Sequence, residues 1–113
     1  CGNTTETAIA NGCIFDIMNY AWTPQICYDQ EVIDESLPTT PWKWYRDHNH
    51  TDEIPQDINI LSQTSPVYTE HSYHMNHCLY TWRLLSRALF EKNRLIVSFI
   101  SAANYTDHCV ELL

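Results

Sequence analysis

His74-Met75-Asn76-His77-Cys78 and Tyr105-Thr106-Asp107-His108-Cys109 are the stretches of this chain whose residue types and spacing suit chemistry. On a helix, His74 and His77 stand on one face, with Cβ atoms about 5 to 6 Å apart. Two imidazoles so placed can reach one metal ion at bond lengths of roughly 2.0 Å. The His-Cys dipeptide returns 31 positions later, at His108-Cys109, with Tyr105 standing where the first copy has His74. Tyr105, His108, Cys109 and Leu112 again fall on one helical face. Two such helices packed side by side would set the His-Cys pairs facing each other, and a Cys78–Cys109 disulfide would hold them there. Closing a loop of that length contributes roughly 3 to 4 kcal/mol in the chain-entropy estimate. The imidazoles would then be left for ligands while the sulfurs hold the structure.

The element that must present the first copy is a long helix over Glu70 to Phe90. Its stripe of Cys78, Thr81, Leu84, Leu85 and Ala88 is expected to turn inward, so that the histidines extend a buried face. His71, His74 and His77 form a ladder spread over about 120° of that helix, with His71 at the edge. Pro66 is expected to open the helix at its first turn, and Lys92, Asn93 and Arg94 suit its carboxy-terminal end. Upstream, residues 3 to 12 read as a short helix capped by Asn3, with Glu6 completing a capping-box-like pair and Asn11-Gly12 stopping it. Cys13 to Tyr20 has no assignable period, and Trp22-Thr23-Pro24 marks a turn. Leu37-Pro38-Thr39-Thr40-Pro41 reads as an extended linker. Trp42, Trp44 and Arg46 alternate with Lys43 and Tyr45, which suits a short strand whose tryptophans cover a core rather than line a pocket. Asp47-His48-Asn49-His50-Thr51-Asp52 reads as a solvated loop rather than a site. Residues 53 to 65 look irregular, and Leu95 to Ser101 is too short to assign by pattern.

A chain of 113 residues fits one domain, residues 1–113, with a modest core. Five cysteines point to disulfides and an oxidising compartment. Three N-x-T sequons, at Asn3, Asn49 and Asn104, agree with that and mark the chain as a candidate glycoprotein. A bridge across the first helix is disfavoured, because eleven helical residues span about 16 Å and a disulfide tolerates about 7 Å between Cα atoms. Cys13 with Cys27 is preferred, or Cys1 with Cys27 if the chain folds back, leaving one cysteine over. The formal net charge is -8, and residues 1 to 70 hold eleven of the fourteen acids against Lys43 and Arg46 alone. Such a surface repels phosphate backbones and disfavours nucleic acid. The longest apolar run, Leu95 to Ile100, is interrupted by Ser98 and far below the roughly 18 residues of a membrane span, so a signal peptide or anchor, if there is one, would lie upstream. Neither a glycine-rich phosphate loop nor a G-x-S-x-G elbow is present. Thiolate ligation by Cys78 and Cys109 would suggest zinc, but an oxidising lumen favours their pairing.

The paired pattern carried by HMNHC and YTDHC, between about Tyr73 and Leu113, resembles the fungal UstYa-like family, named for an oxidase of ustiloxin biosynthesis. The stretches CGNTTETAIANGCIFD, AWTPQICYDQE and PWKWYRD resemble a branch of small fungal secretory-pathway proteins with the same carboxy-terminal motif. The resemblance implies a type II membrane protein whose lumenal domain uses copper and dioxygen to tailor a small-molecule or peptide natural product by cyclisation, hydroxylation or halogenation. His74, His77 and His108 would be its metal ligands. A strict second motif carries His where this chain has Tyr105. Either the ligand set is smaller, His71 or Tyr105 substitutes, or metal binding has been lost. Tyr105 would serve as an oxygen ligand, a hydrogen-bond donor, a redox-active phenol or a packing residue. The expected fold class is mainly α: a small disulfide-linked helical domain with long extended or irregular segments. Two rival functions stand beside the copper oxidase. One is a metal-independent cyclase of similar fold in which the histidines, Tyr105 and the tryptophans shape a pocket and move protons. The other is a non-catalytic subunit of a hetero-oligomer, and a homo- or hetero-dimer fits every reading.

Overall fold

The computed structural model describes residues 1–38, 41–91 and 95–112. Thr39 and Thr40 of the expected linker, and Lys92, Asn93 and Arg94 at the expected end of the long helix, lie outside the described residues. In chain order the elements are α1 (Thr5–Ala10), β1 (Ile14–Asp16), β2 (Ala21–Thr23), α2 (Gln30–Ser36), β3 (Trp44–Tyr45), β4 (Glu53–Ile54), α3 (Ile58–Leu61), β5 (Tyr68–Thr69), α4 (His71–Phe90) and α5 (Ala103–Leu112). Two 3-10 turns, Gln25–Cys27 and Ser98–Ser101, complete the described chain. About half of it is helical, so the mainly-α expectation holds in part; two small antiparallel sheets of short strands are present as well, and the remaining segments are extended or irregular. One sheet is the β1–β2 hairpin, with Phe15 opposite Trp22, and the other has the order β4-β3-β5.

The long helix forms where its pattern placed it. Its buried residues are Tyr73, Cys78, Tyr80, Thr81 and Leu84. At about 100° per residue the centre of that face passes through His77, with His74 about 60° and His71 about 120° around the cylinder. His77 is therefore half-buried, whereas His74 and His71 are exposed. The expectation that both motif histidines extend a buried face thus holds for His77 and not for His74, because Tyr73 and Tyr80 rather than His74 take the inward positions. Helix α2 packs on α4 through Val32, Ile33 and Ser36. Arg87 of α4 ties down the amino end of α2, at 3.3 Å from Asp29 and 3.6 Å from Glu31.

Aromatic residues fill the centre. Trp44 is 1% exposed and lies between Tyr20, stacked at 5.6 Å, and Tyr73 at 5.0 Å. Trp42 meets Tyr73 edge-on at 5.2 Å and donates its indole N–H to Ser72 Oγ. Both tryptophans belong to the core, as their alternation predicts. The Asp47–Asp52 stretch is the solvated turn between β3 and β4, organised by the Asp47 carboxylate accepting from the backbone N–H groups of Thr51 and Asp52.

Five expectations fail, each for a local reason. Helix α1 begins at Thr5, capped by the Thr4 hydroxyl rather than Asn3, and ends at Ala10. Six residues rise about 9 Å instead of 16, and Gly2 (φ 100°) and Gly12 (φ 74°) turn the chain ends toward each other. Cys1 therefore bonds to Cys13, at 6.1 Å between Cα atoms, and Cys27 is free. Pro66 does not open α4; β5 intervenes, and Glu70 is the cap residue. Trp22 and Thr23 are strand, and the reversal sits at residues 17–20, where Asp16 Oδ1 accepts from the N–H groups of Met18 at 2.8 Å and Asn19 at 3.2 Å. Residues 53 to 65 contain β4 and the single turn α3, whose cap is Asp57. No helix among the described residues is long and apolar enough to cross a membrane.

Candidate functional site

Helix α5 reaches the site by two anchors. Cys109, its buried residue, bonds to Cys78 of α4, with Cα atoms 5.5 Å apart and a sequence separation of 31. Just upstream, Ile100 in the 3-10 turn is 2% exposed within the core. The bridge thus joins the two motif copies as their spacing predicts, and it removes both sulfurs from any thiolate site.

His77 and Tyr105 then meet directly. The His77 Nδ1 lies 2.6 Å from the Met18 carbonyl oxygen, and Nε2 contacts the Tyr105 hydroxyl. A carbonyl can only accept, so Nδ1 carries the proton, and in the neutral ring Nε2 holds the lone pair that takes the phenolic O–H. The Met18 carbonyl also accepts from the Tyr73 hydroxyl at 3.0 Å. The Tyr105 ring is flanked by His108, at 5.9 Å between centroids, and by Phe99 at 5.0 Å. His74 stands beside Tyr73, at 5.8 Å between ring centroids. Among the sites named from sequence, His77, Tyr105 and His108 come together, His74 borders them, and His71 enters only through its charge.

Burial favours the uncharged form of each central group. Desolvation lowers the His77 pKa below the usual imidazole value, with the nearby His74 and His108 charges adding to it and the Met18 bond opposing it. His74 is likewise lowered, by desolvation first and then by His71 and His108. Burial pushes the Tyr105 phenol up to about 12. At neutral pH the centre is therefore a neutral base against a protonated phenol. The two histidines also fix a stability trend. The unfolded chain takes up their protons near pH 6.5, before the folded chain does. Their contribution is thus fully present above about pH 6.5 and is lost as pH falls through the lower folded values. In urea unfolding followed from pH 7.5 to 5, His77→Gln is expected to flatten this loss relative to wild type; an unchanged slope would deny the burial of a neutral imidazole.

Among the described residues, no three His, Cys, Asp or Glu side chains gather closely enough to hold a metal ion. The donor chemistry agrees, because both nitrogens of His77 are engaged and both sulfurs are bonded to each other. As placed, the residues do not fit a three-imidazole centre. The sequons Asn3, Asn49 and Asn104 are all exposed. The groups that sequence reasoning missed are the Met18 carbonyl and the Asp16 turn that aims it. Its usable signal was Asp followed by Asn three residues on, a turn-forming pair.

In class, then, this is a small, half-helical, two-disulfide domain whose imidazole and phenol cluster is built at a bridged pair of helices. No family model matches the chain. Two proteins of Diaporthe leptostromiformis, phomopsin biosynthesis cluster proteins B and B', are each 33% identical to it over 98 residues. The match takes in 79% of this chain and 29% of each relative, so the chain spans less than a third of the length of these curated relatives. No solved structure matches.

Proposed function

We propose that this chain is a UstYa-like tailoring domain of fungal secondary metabolism that moves protons at the His77–Tyr105 pair. The observation that carries the reading is the chain of contacts from the Met18 carbonyl through both nitrogens of His77 to the Tyr105 hydroxyl. The similarity to phomopsin-cluster proteins supports the natural-product setting, and the two disulfides fit a secreted or lumenal domain.

The mechanism follows from the protonation states. The neutral His77 Nε2 accepts a proton from an acidic position of the bound substrate once the Tyr105 hydroxyl turns toward that substrate. The Met18 carbonyl steadies the imidazolium that forms, because its bond to Nδ1–H strengthens with positive charge. Tyr105, protonated at neutral pH, donates to the oxygen or nitrogen on which negative charge develops. His77 then returns its proton, and the net result is an isomerisation or ring closure with no change of oxidation state. His108 and His74 stand exposed beside the pair.

Copper at His74, His77 and His108, with His71 or Tyr105 auxiliary and dioxygen as oxidant, is the second reading. It is favoured by the electrostatic influence of the neighbouring histidines on His74 and His77, whose pKa values desolvation lowers toward the neutral form that ligation needs. Copper, when bound, would supply one-electron chemistry with dioxygen. It would require the Tyr105 hydroxyl to leave Nε2.

The test is complementation of a deletion strain of the producing fungus, with metabolites followed by mass spectrometry. His77→Ala and Tyr105→Phe are each expected to lower product about 100-fold and to accumulate the substrate of the deletion strain. Purified wild-type protein should keep converting that substrate after chelation. Loss of turnover in chelator with recovery on adding copper establishes the second reading, and wild-type product levels in both variants reject both.

A further inference from the structure

Residues of α1, the β1–β2 hairpin, α2 and α3 line a cleft of about 570 Å³. We propose that this cleft is a binding site for a neutral, mainly apolar organic molecule carrying amide or hydroxyl groups. The inference is independent of the proton-transfer reading, since the cleft shares no residue with the histidine cluster.

Three observations carry it. The volume falls in the range of about 300 to 1,000 Å³ typical of small-molecule sites. Its floor is buried and apolar, formed by Phe15, Ile17 and Ile33, at 7%, 8% and 3% exposure. Its rim is apolar as well: Ile9 on α1 and Ile58 on α3 are 61% and 42% exposed, from elements far apart in sequence. Water-facing isoleucines that ring a concave floor gain most from an apolar occupant.

Polarity and charge narrow the ligand. Asn59 and Gln63 line the wall with carboxamides, which fit the donors and acceptors of an amide or a hydroxyl. None of the residues lining the cleft carries a formal charge. The chain as a whole is at -8, so an anion would meet repulsion with no cation at the wall to offset it. A smaller depression of about 260 Å³ shares Phe15, Trp22, Ser62 and Gln63 with the cleft, and its lining is uncharged too.

The experiment titrates the full chain with Nile red, a neutral apolar dye, and reads isoleucine methyl resonances. Saturable binding is expected, with shifts confined to Ile9, Ile14, Ile17, Ile33 and Ile58 and none at the core residues Ile54 and Ile100. The anionic dye anilinonaphthalene sulfonate should bind about ten-fold more weakly. Ile58→Glu and, separately, Ile9→Glu are expected to weaken Nile red about ten-fold with unchanged circular dichroism. Both sites are exposed, so one variant serves if the other unfolds. Leu89→Glu, on the exposed end of α4, should change nothing. The proposal is overturned by unsaturable binding, by shifts spread over the core, or by equal affinity for both dyes. It is also overturned if light scattering finds a dimer that covers these methyls and excludes the dye.

Discussion

Replacing Cys78 and Cys109 together by serine is expected to lower the thermal unfolding midpoint by on the order of 10 to 20 °C and to detach Tyr105 from His77. Both sulfurs are fully buried, and the bridge closes a loop with a sequence separation of 31. In the chain-entropy estimate such a loop is worth about 3 to 4 kcal/mol, a large fraction of the stability of a domain this size. The effect on the site follows from how α5 is held. Cys109 is its buried residue, so without the bridge the helix keeps mainly the Ile100 anchor upstream, which is too little to hold Tyr105 against His77. Amide exchange across Ala103–Leu112 should therefore accelerate while that of the α4 centre stays slow. Replacing Cys1 and Cys13 instead leaves that exchange unchanged, because that bridge ties α1 ends remote from the histidines. Equal exchange in α5 with and without Cys78–Cys109 would mean that packing alone holds the second motif copy in place.

How much of this was readable from the chain depended on whether the signal was local and periodic. Helix α4 was readable because twenty residues repeat one pattern and no glycine or proline breaks it. Its bridge to α5 was readable because two His-Cys dipeptides at the same phase of two helices can face each other. The β1–β2 hairpin was hidden: its strands have three residues each, too few for alternation to register. The Cys1–Cys13 bridge was misjudged through one boundary, since a helix stopping at Ala10 rather than residue 12, with glycines on either side, brings its flanks within bonding range. In the site, His77 and Tyr105 announced themselves by type and spacing. The Met18 carbonyl did not, because a backbone acceptor has no residue-type signature and its use depends on a turn formed 59 positions away. The greater prominence of His77 over His74 was likewise set by Tyr73 and Tyr80, whose burial against the aromatic centre rotates the inward face of α4.

Asp16→Ala is expected to cost about 3 to 5 kcal/mol, comparable to the loss of the buried bridge. Asp16 is 1% exposed, and its carboxylate accepts from the Tyr80 hydroxyl at 2.5 Å and from the N–H groups of Met18 and Asn19. Alanine leaves all three donors without that acceptor, and the Tyr80 hydroxyl lies in a side chain with no exposure at all. The turn that loosens is also the one that aims the Met18 carbonyl at His77 and Tyr73, so the His77 tautomer should become mixed, which nitrogen-15 shifts of the ring would report. Asp16→Asn separates charge from shape. Burial raises the Asp16 pKa above its ordinary 3.8, more than the Tyr80 and backbone bonds lower it. The folded chain thus holds this proton to higher pH than the unfolded chain does. Its contribution is fully present below about pH 3.8 and is lost as pH rises through the folded value. The stability of wild type relative to Asp16→Asn should therefore decline across that window and level off above it. A difference that rises with pH instead would mean that the hydrogen bonds to the carboxylate outweigh its burial, and that the turn is held by a charged rather than a reluctantly ionised Asp16.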